Sequence, residues 1–161
     1  MTTPTLLKNI NTAGDSRISG LCAVNGKLFF SATDGISGEE LWKSDGTSTG
    51  TVQVLDAAAG AASSKPTDLK DIHGTVFYCA FSAASGYELW KSDGSAAGTK
   101  LVKDLSPGSS SSAPSSFVDF NGAAIFTANQ AIWKSDGSPN GTSTIAAPPN
   151  PFGNGVYEPT V

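Results

Sequence analysis

Three carboxylates in one recurring context are the first residues here whose chemistry can be weighed. Asp45, Asp93 and Asp136 each follow a serine and precede a glycine, Gly46, Gly94 and Gly137. A carboxylate in a polar turn is an oxygen ligand for calcium, but calcium gathers about six to eight oxygens, as in Asp-x-Asp-x-Asp patterns. One Asp per turn favours the other use, in which the carboxylate bonds backbone N–H groups of its own turn. Trp42, Trp90 and Trp133 stand three residues before each Asp. Indole faces stack on sugar rings, and they also fill cores; recurrence at one position of a repeated unit favours packing. Glu40 and Glu88 lie on the Trp face of the same strand, and a Glu followed by Lys reads as a cross-strand pair or a solvated rim. The third copy has Ala131 instead, which argues against a strict need for the acid. Glycosidase chemistry needs two acids about 5–10 Å apart; acids recurring at equivalent positions read as scaffold.

Other catalytic constellations find no support. His73 is the single histidine, so a nucleophile–histidine site would rest on it alone, and sites built on several His are excluded. Its equivalents in the other copies are Asn25 and Asn121, and a turn role explains all three. Cys22 and Cys79 have no cysteine at the equivalent positions of the other copies and make no disulfide framework. The Gly-rich stretch 107–112 lacks the Gly-Lys-Ser/Thr ending of a phosphate loop. Asn140-Gly141-Thr142 matches a glycosylation sequon but is also part of the repeat. The reading is non-enzymatic, with no metal and no cofactor.

These residues belong to an internal repeat. Leu41-Trp42-Lys43-Ser44-Asp45-Gly46 recurs as residues 89–94 and, with Ile for Leu, as 132–137. Gly-Thr follows each copy at 50, 98 and 141, and a hairpin dipeptide precedes each: Asn25-Gly26, His73-Gly74 and Asn121-Gly122. The dipeptides recur every 48 residues, whereas the tryptophans are 48 and then 43 apart, so the third copy is shorter between Phe126 and Trp133. A length change confined to one place marks a loop.

Composition agrees. The chain of 161 residues has 18 Gly and 9 Pro, 39% hydrophobic residues and only 15% charged ones. That is too rich in turn residues for a helical bundle and too apolar for disorder. The net charge of −4 and the lack of a basic stripe leave a nucleic-acid partner unexpected. No stretch approaches 18 apolar residues, so membrane insertion is not expected, and residues 1–11 do not read as a secretory signal.

Each repeat reads as four short strands: one ending at the hairpin dipeptide (115–120), a second from it (27–32, 75–80, 123–128), a third carrying the Trp, and a fourth after Gly-Thr (51–56, 99–105, 142–146). Alternate positions of the second strand are apolar on both faces, so each small sheet is expected to be covered on both sides. Four-stranded sheets recurring every 40 to 50 residues predict an all-β chain built as a β-propeller, with about three blades at 12–56, 60–105 and 108–147, and an irregular tail at 148–161. An open β-solenoid or other stacked β array is the alternative.

The strings Glu40–Thr47 and Glu88–Ser95, with Val24–Ala32 upstream and Val102–Gly108 downstream, resemble the ELWxxDGT repeat family over roughly residues 5–142. The resemblance implies a propeller-like bacterial protein, extracellular or at the cell surface, whose biochemical role is poorly defined. Departures are the three copies only and Ala131 in place of the third Glu.

Propellers close with four to eight blades. Three would expose two apolar faces, so the chain is expected to partner itself, a dimer with six blades being favoured. Leu6-Leu7-Lys8-Asn9-Ile10 matches Leu101-Val102-Lys103-Asp104-Leu105 and reads as an extra fourth strand. The leading functional expectation is a binding module for carbohydrate or a surface glycan, the alternative a structural component of an extracellular complex. Loops between second and third strands (33–39, 81–87, 129–130) vary on a constant scaffold, where binding usually lives. Asp34, Glu39, Tyr87 and Gln130, with Trp42, Trp90 and Trp133, are the candidate ligand-binding residues.

Overall fold

A computed structural model describes Thr3 and residues 5–146, and within them the chain is all-β, with no helix. The first sheet runs β1 (Ser19–Val24), β2 (Lys27–Thr33), β3 (Glu39–Ser44) and β4 (Val52–Leu55). The second holds β5 (Thr67–Ile72), β6 (Thr75–Ser82), β7 (Gly86–Ser92) and β8 (Lys100–Lys103). The third holds β9 (Ser115–Phe120), β10 (Ala123–Ala128), β11 (Ala131–Ser135) and β12 (Ser143–Ala146). Each is an antiparallel meander with strands adjacent in chain order. The tail expected at 148–161, and residue 147 of the third repeat, lie outside the described residues.

Local chemistry accounts for the meanders. The first hairpin turns on Asn25-Gly26, His73-Gly74 and Asn121-Gly122, all six residues at positive φ. Two such residues make the turn whose twist matches that of the flanking strands. In every repeat a bulge interrupts the first strand pair and another the third-to-fourth pair. Bulges in the same places give each sheet the same added twist.

The sheets pack face to face, and their closest approach is along the first strands, β1 to β5 to β9. One face of each sheet, here the front, carries Val24, Phe29, Leu41 and Val54 in the first repeat and Ile72, Phe77, Leu89 and Val102 in the second. The other, the back, carries Tyr78, Ala80 and Trp90 in the second and Phe126, Ala128 and Trp133 in the third. The front of the first sheet buries against the back of the second, and the front of the second against the back of the third. Among the described residues, only the second sheet is therefore covered by sheets on both sides. The back of the first, with Phe30, Ala32 and Trp42, is met in part by Ile10. The front of the third is open: Phe120, Ile132 and Ile145 are 63%, 44% and 57% exposed.

Two further expectations are adjusted. Phe81 and Tyr87, expected in a loop, lie in β6 and β7, paired across the ladder with rings 5.3 Å apart. Thr33 and Glu39, also expected in a loop, form the equivalent rung of β2 and β3, so the rung does not depend on the aromatic pair. Glu40 and Glu88 are neither a rim nor a cross-strand pair: both are fully buried.

Candidate functional site

The recurring Ser-Asp-Gly and Gly-Thr elements form one hydrogen-bonded turn. Ser44 Oγ lies 2.7 Å from Thr51 Oγ1, Ser92 2.6 Å from Thr99, and Ser135 2.7 Å from Thr142, all buried. Each Thr hydroxyl donates to the carbonyl of residue 47, 95 or 138, so the Ser hydroxyl donates to the Thr and accepts from the glycine N–H two residues on. The Asp carboxylate accepts the N–H of Thr47, Ser95 or Ser138. It also covers Gly50, Gly98 or Gly141, leaving no room for a side chain there. The hydroxyls of Thr47, Ser95 and Ser138, and after them the N–H groups of the same residues, hold Asp45, Asp93 and Asp136 below the ordinary carboxylate range. Among the described residues no three His, Cys, Asp or Glu side chains gather as a metal-binding group.

Buried Glu40 and Glu88 tie each sheet to the linker that follows it. Glu40 accepts from the N–H groups of Ala57 and Ser64 and from Ser64 Oγ at 2.6 Å. Glu88 accepts from the N–H groups of Leu105 and Ser112 and from Ser112 Oγ at 2.5 Å. The carbonyls of Ser64 and Ser112 then accept from Phe81 and Asn129 of the next sheet. Burial raises the Glu40 carboxyl above its ordinary range, against the pull of its three donors. Glu and Ser are separated by 24 residues in both repeats, a spacing legible in the sequence once the linkers are aligned.

The expected binding residues do not converge. Trp42 and Trp90 are buried, and their indole N–H groups have no partner. Trp90 is packed between two sheets, and Trp42 is covered on the back of the first sheet with Ile10 against its cluster, so neither presents a free ring face to a sugar. Trp133 is half-buried and donates to the Ala128 carbonyl at 3.0 Å. Asp34 accepts the N–H groups of Ile36 and Ser37, each at 2.8 Å, which lowers its carboxyl. Tyr87 and Gln130 stand on the second and third sheets, Gln130 in a two-residue hairpin with Asn129, both at positive φ.

Glu39 alone lines a cleft, of about 440 Å³, between the β2–β3 loop and the segment before β1. Its Oε1 lies 3.1 Å from Nη1 of Arg17, which is largely exposed. Asn11 forms the wall, bonding the Asp15 carbonyl and the Ala13 N–H. Arg17 and Asn11 were not among the expected site residues because they lie before β1, outside the loops between second and third strands where binding was expected.

A second apolar feature joins the ends of the stack. Ten large hydrophobic residues are exposed among the described residues. Nine of them lie at the two end faces: Leu6, Leu7, Ile18, Leu21 and Leu28 on the back of the first sheet, and Val118, Phe120, Ile132 and Ile145 on the front of the third. Their counterparts in the internal joints are mostly buried, Phe120 matching Ile72, Ile132 matching Leu89 and Leu28 matching Val76. No family model, curated protein or solved structure matches the chain.

Proposed function

We propose that the chain is a non-enzymatic assembly module, a stack of three propeller-like blades whose function is to join further blades of the same kind. One observation carries this: the exposed apolar residues collect on the two end faces, at positions that the internal joints bury. An apolar face of this kind marks an interaction surface. The two faces differ, so the contact is heterologous, front to back, and it either closes a ring or extends a filament. Two copies supply six blades, within the range that closes a propeller. The fan of sheets about their first strands supports ring closure, and the resemblance of the repeats supports an extracellular or cell-surface setting. Light scattering over a concentration series tests the reading. The intact chain is expected to associate, and Phe120→Asp with Ile132→Asp to remain monomeric with its strand content kept. A monomer at every concentration overturns it.

A second reading, a site for a polar ligand of the carbohydrate class, is favoured by the cleft of Arg17, Glu39 and Asn11, whose side chains supply both donors and acceptors. A glycan array with the intact chain and with Arg17→Ala tests it, and silence across the array removes it.

A further inference from the structure

The segment 6–10 does to the first sheet what β8 does to the third. Lys103 Nζ reaches across the second joint to the Thr142 carbonyl at 2.7 Å, and Lys8 Nζ reaches the Thr51 carbonyl at 2.6 Å. Thr51 and Thr142 are the same position of the repeat, the residue after Gly50 and Gly141. Two residues beyond each lysine, Leu105 packs against the core around Trp133, and Ile10 packs against Trp42. Leu6–Ile10 thus occupies the place of a fourth strand belonging to a preceding sheet, one whose front would cover the back of the first. It pairs with no strand among the described residues. Between it and the first sheet lies an apolar groove of about 230 Å³, lined by Leu7, Leu21, Leu28 and Phe30.

The third sheet has the complementary need. Its own fourth strand, β12, is Ser143-Thr144-Ile145-Ala146, with all four residues exposed. The register sets Ala146 opposite Ile132, where the second sheet sets Lys103 opposite Leu89. β12 therefore lacks a cross-joint lysine, as β4 does with Leu55 opposite Leu41, and Lys8 of a second copy would place one there. The turn glycines show the same vacancy from the other side. In the internal joints Phe29 presses on Gly94 and Phe77 on Gly137, whereas nothing lies within 4 Å of where a Cβ at Gly46 would be. The residue equivalent to Phe29 and Phe77 in the third repeat is Ile125, on the open front face.

We propose that two copies join by strand exchange: Leu6–Ile10 of one copy pairs with β11 of a second, taking the place of that copy's β12, while the front of its third sheet fills the groove on the back of the first. This rests on the assembly reading and specifies its joint. Adding an extended segment to an open sheet edge is a recognised mode of association, with main-chain hydrogen bonds giving affinity and alternate side chains giving register. The alignment places Lys8 opposite Ile132 of the second copy.

Cysteine trapping tests this in a Cys22→Ser, Cys79→Ala background. A Lys8→Cys chain mixed with an Ile132→Cys chain should form a disulfide between copies, since directly opposed residues lie within bridging distance. Conversely, Ile132→Cys with Ala146→Cys in one chain bridges β12 to β11 and should weaken association at least about tenfold, with association restored by reductant. Association undiminished by that lock, with no disulfide in the mixture, overturns strand exchange and leaves face-to-face assembly standing. No association by the intact chain overturns both.

Discussion

Phe29 of the first sheet presses the end of its ring on Gly94 of the second, where a Cβ would lie 3.0 Å from Phe29 Cζ. Gly46, the same turn position one repeat earlier, has an almost identical φ, 86° against 87°, and open space around it. The pair separates two reasons for a glycine. Gly46→Ala carries the backbone strain alone, about 1 kcal/mol. Gly94→Ala carries the same strain and also pushes a buried ring, about 1–3 kcal/mol more. Denaturant unfolding of the two variants as monomers checks this, and equal losses would show that Phe29 does not seat on the turn.

The buried glutamates hold linkers, so their removal strands several donors at once. Glu88→Ala leaves the N–H groups of Leu105 and Ser112 and the Ser112 hydroxyl without their acceptor. The expected loss is about 3 kcal/mol, on the scale of a broken buried charged network. Glu88→Gln should recover only part of it, because its NH₂ group meets donors. A loss below about 1 kcal/mol, the scale of a surface substitution, would contradict the linker role.

The strand plan was legible because each repeat is punctuated by residues with one conformational use, such as the hairpin pairs that begin with Asn25, His73 and Asn121. The segment matching β8 was legible too, from Leu6 to Ile10, since apolar positions and the lysine recur in order. What was not legible was burial. Glu40 followed by a residue of the core strand looks like any solvated acid, and only the fold brings Ser64 to it across 24 residues. The same limit applied to Arg17, which meets Glu39, and to Asn11, which lines the same cleft, once the segment before β1 lies beside the β2–β3 loop.

The Ser–Thr pair inside each turn should be worth more than an exposed one. Ser92→Ala leaves the N–H of Gly94 without an acceptor and Thr99 without the donor at 2.6 Å, in a buried turn. The expected cost is about 1–3 kcal/mol. Ser37→Ala is the control: it loses a hydroxyl donating at 3.3 Å to the part-buried Asp34 carboxylate, a long bond outside the core, and should cost under about 0.5 kcal/mol. Thermal unfolding of both variants decides, and similar losses would mean that burial adds nothing to the turn.

Stability should decline on both sides of an acidic optimum, for opposite reasons. Asp34, Asp45, Asp93 and Asp136 are held below the ordinary carboxylate range by hydrogen bonds within their turns. The folded state therefore binds their protons less readily than the unfolded state. Their contribution is complete above the unfolded pKa and is lost as pH falls through the depressed folded values. Glu40 is displaced the other way by burial. The folded state binds its proton more readily, so its contribution is complete below the unfolded pKa and is lost as pH rises through the raised folded value. The first limb lies below the ordinary Asp range and the second above the ordinary Glu range. Urea unfolding at closely spaced pH values should show both. Glu40→Gln should flatten the upper limb and leave the lower, and Asp93→Asn should shallow the lower and leave the upper. An upper limb with unchanged slope in Glu40→Gln would mean that the buried carboxyl titrates as it does in the unfolded chain.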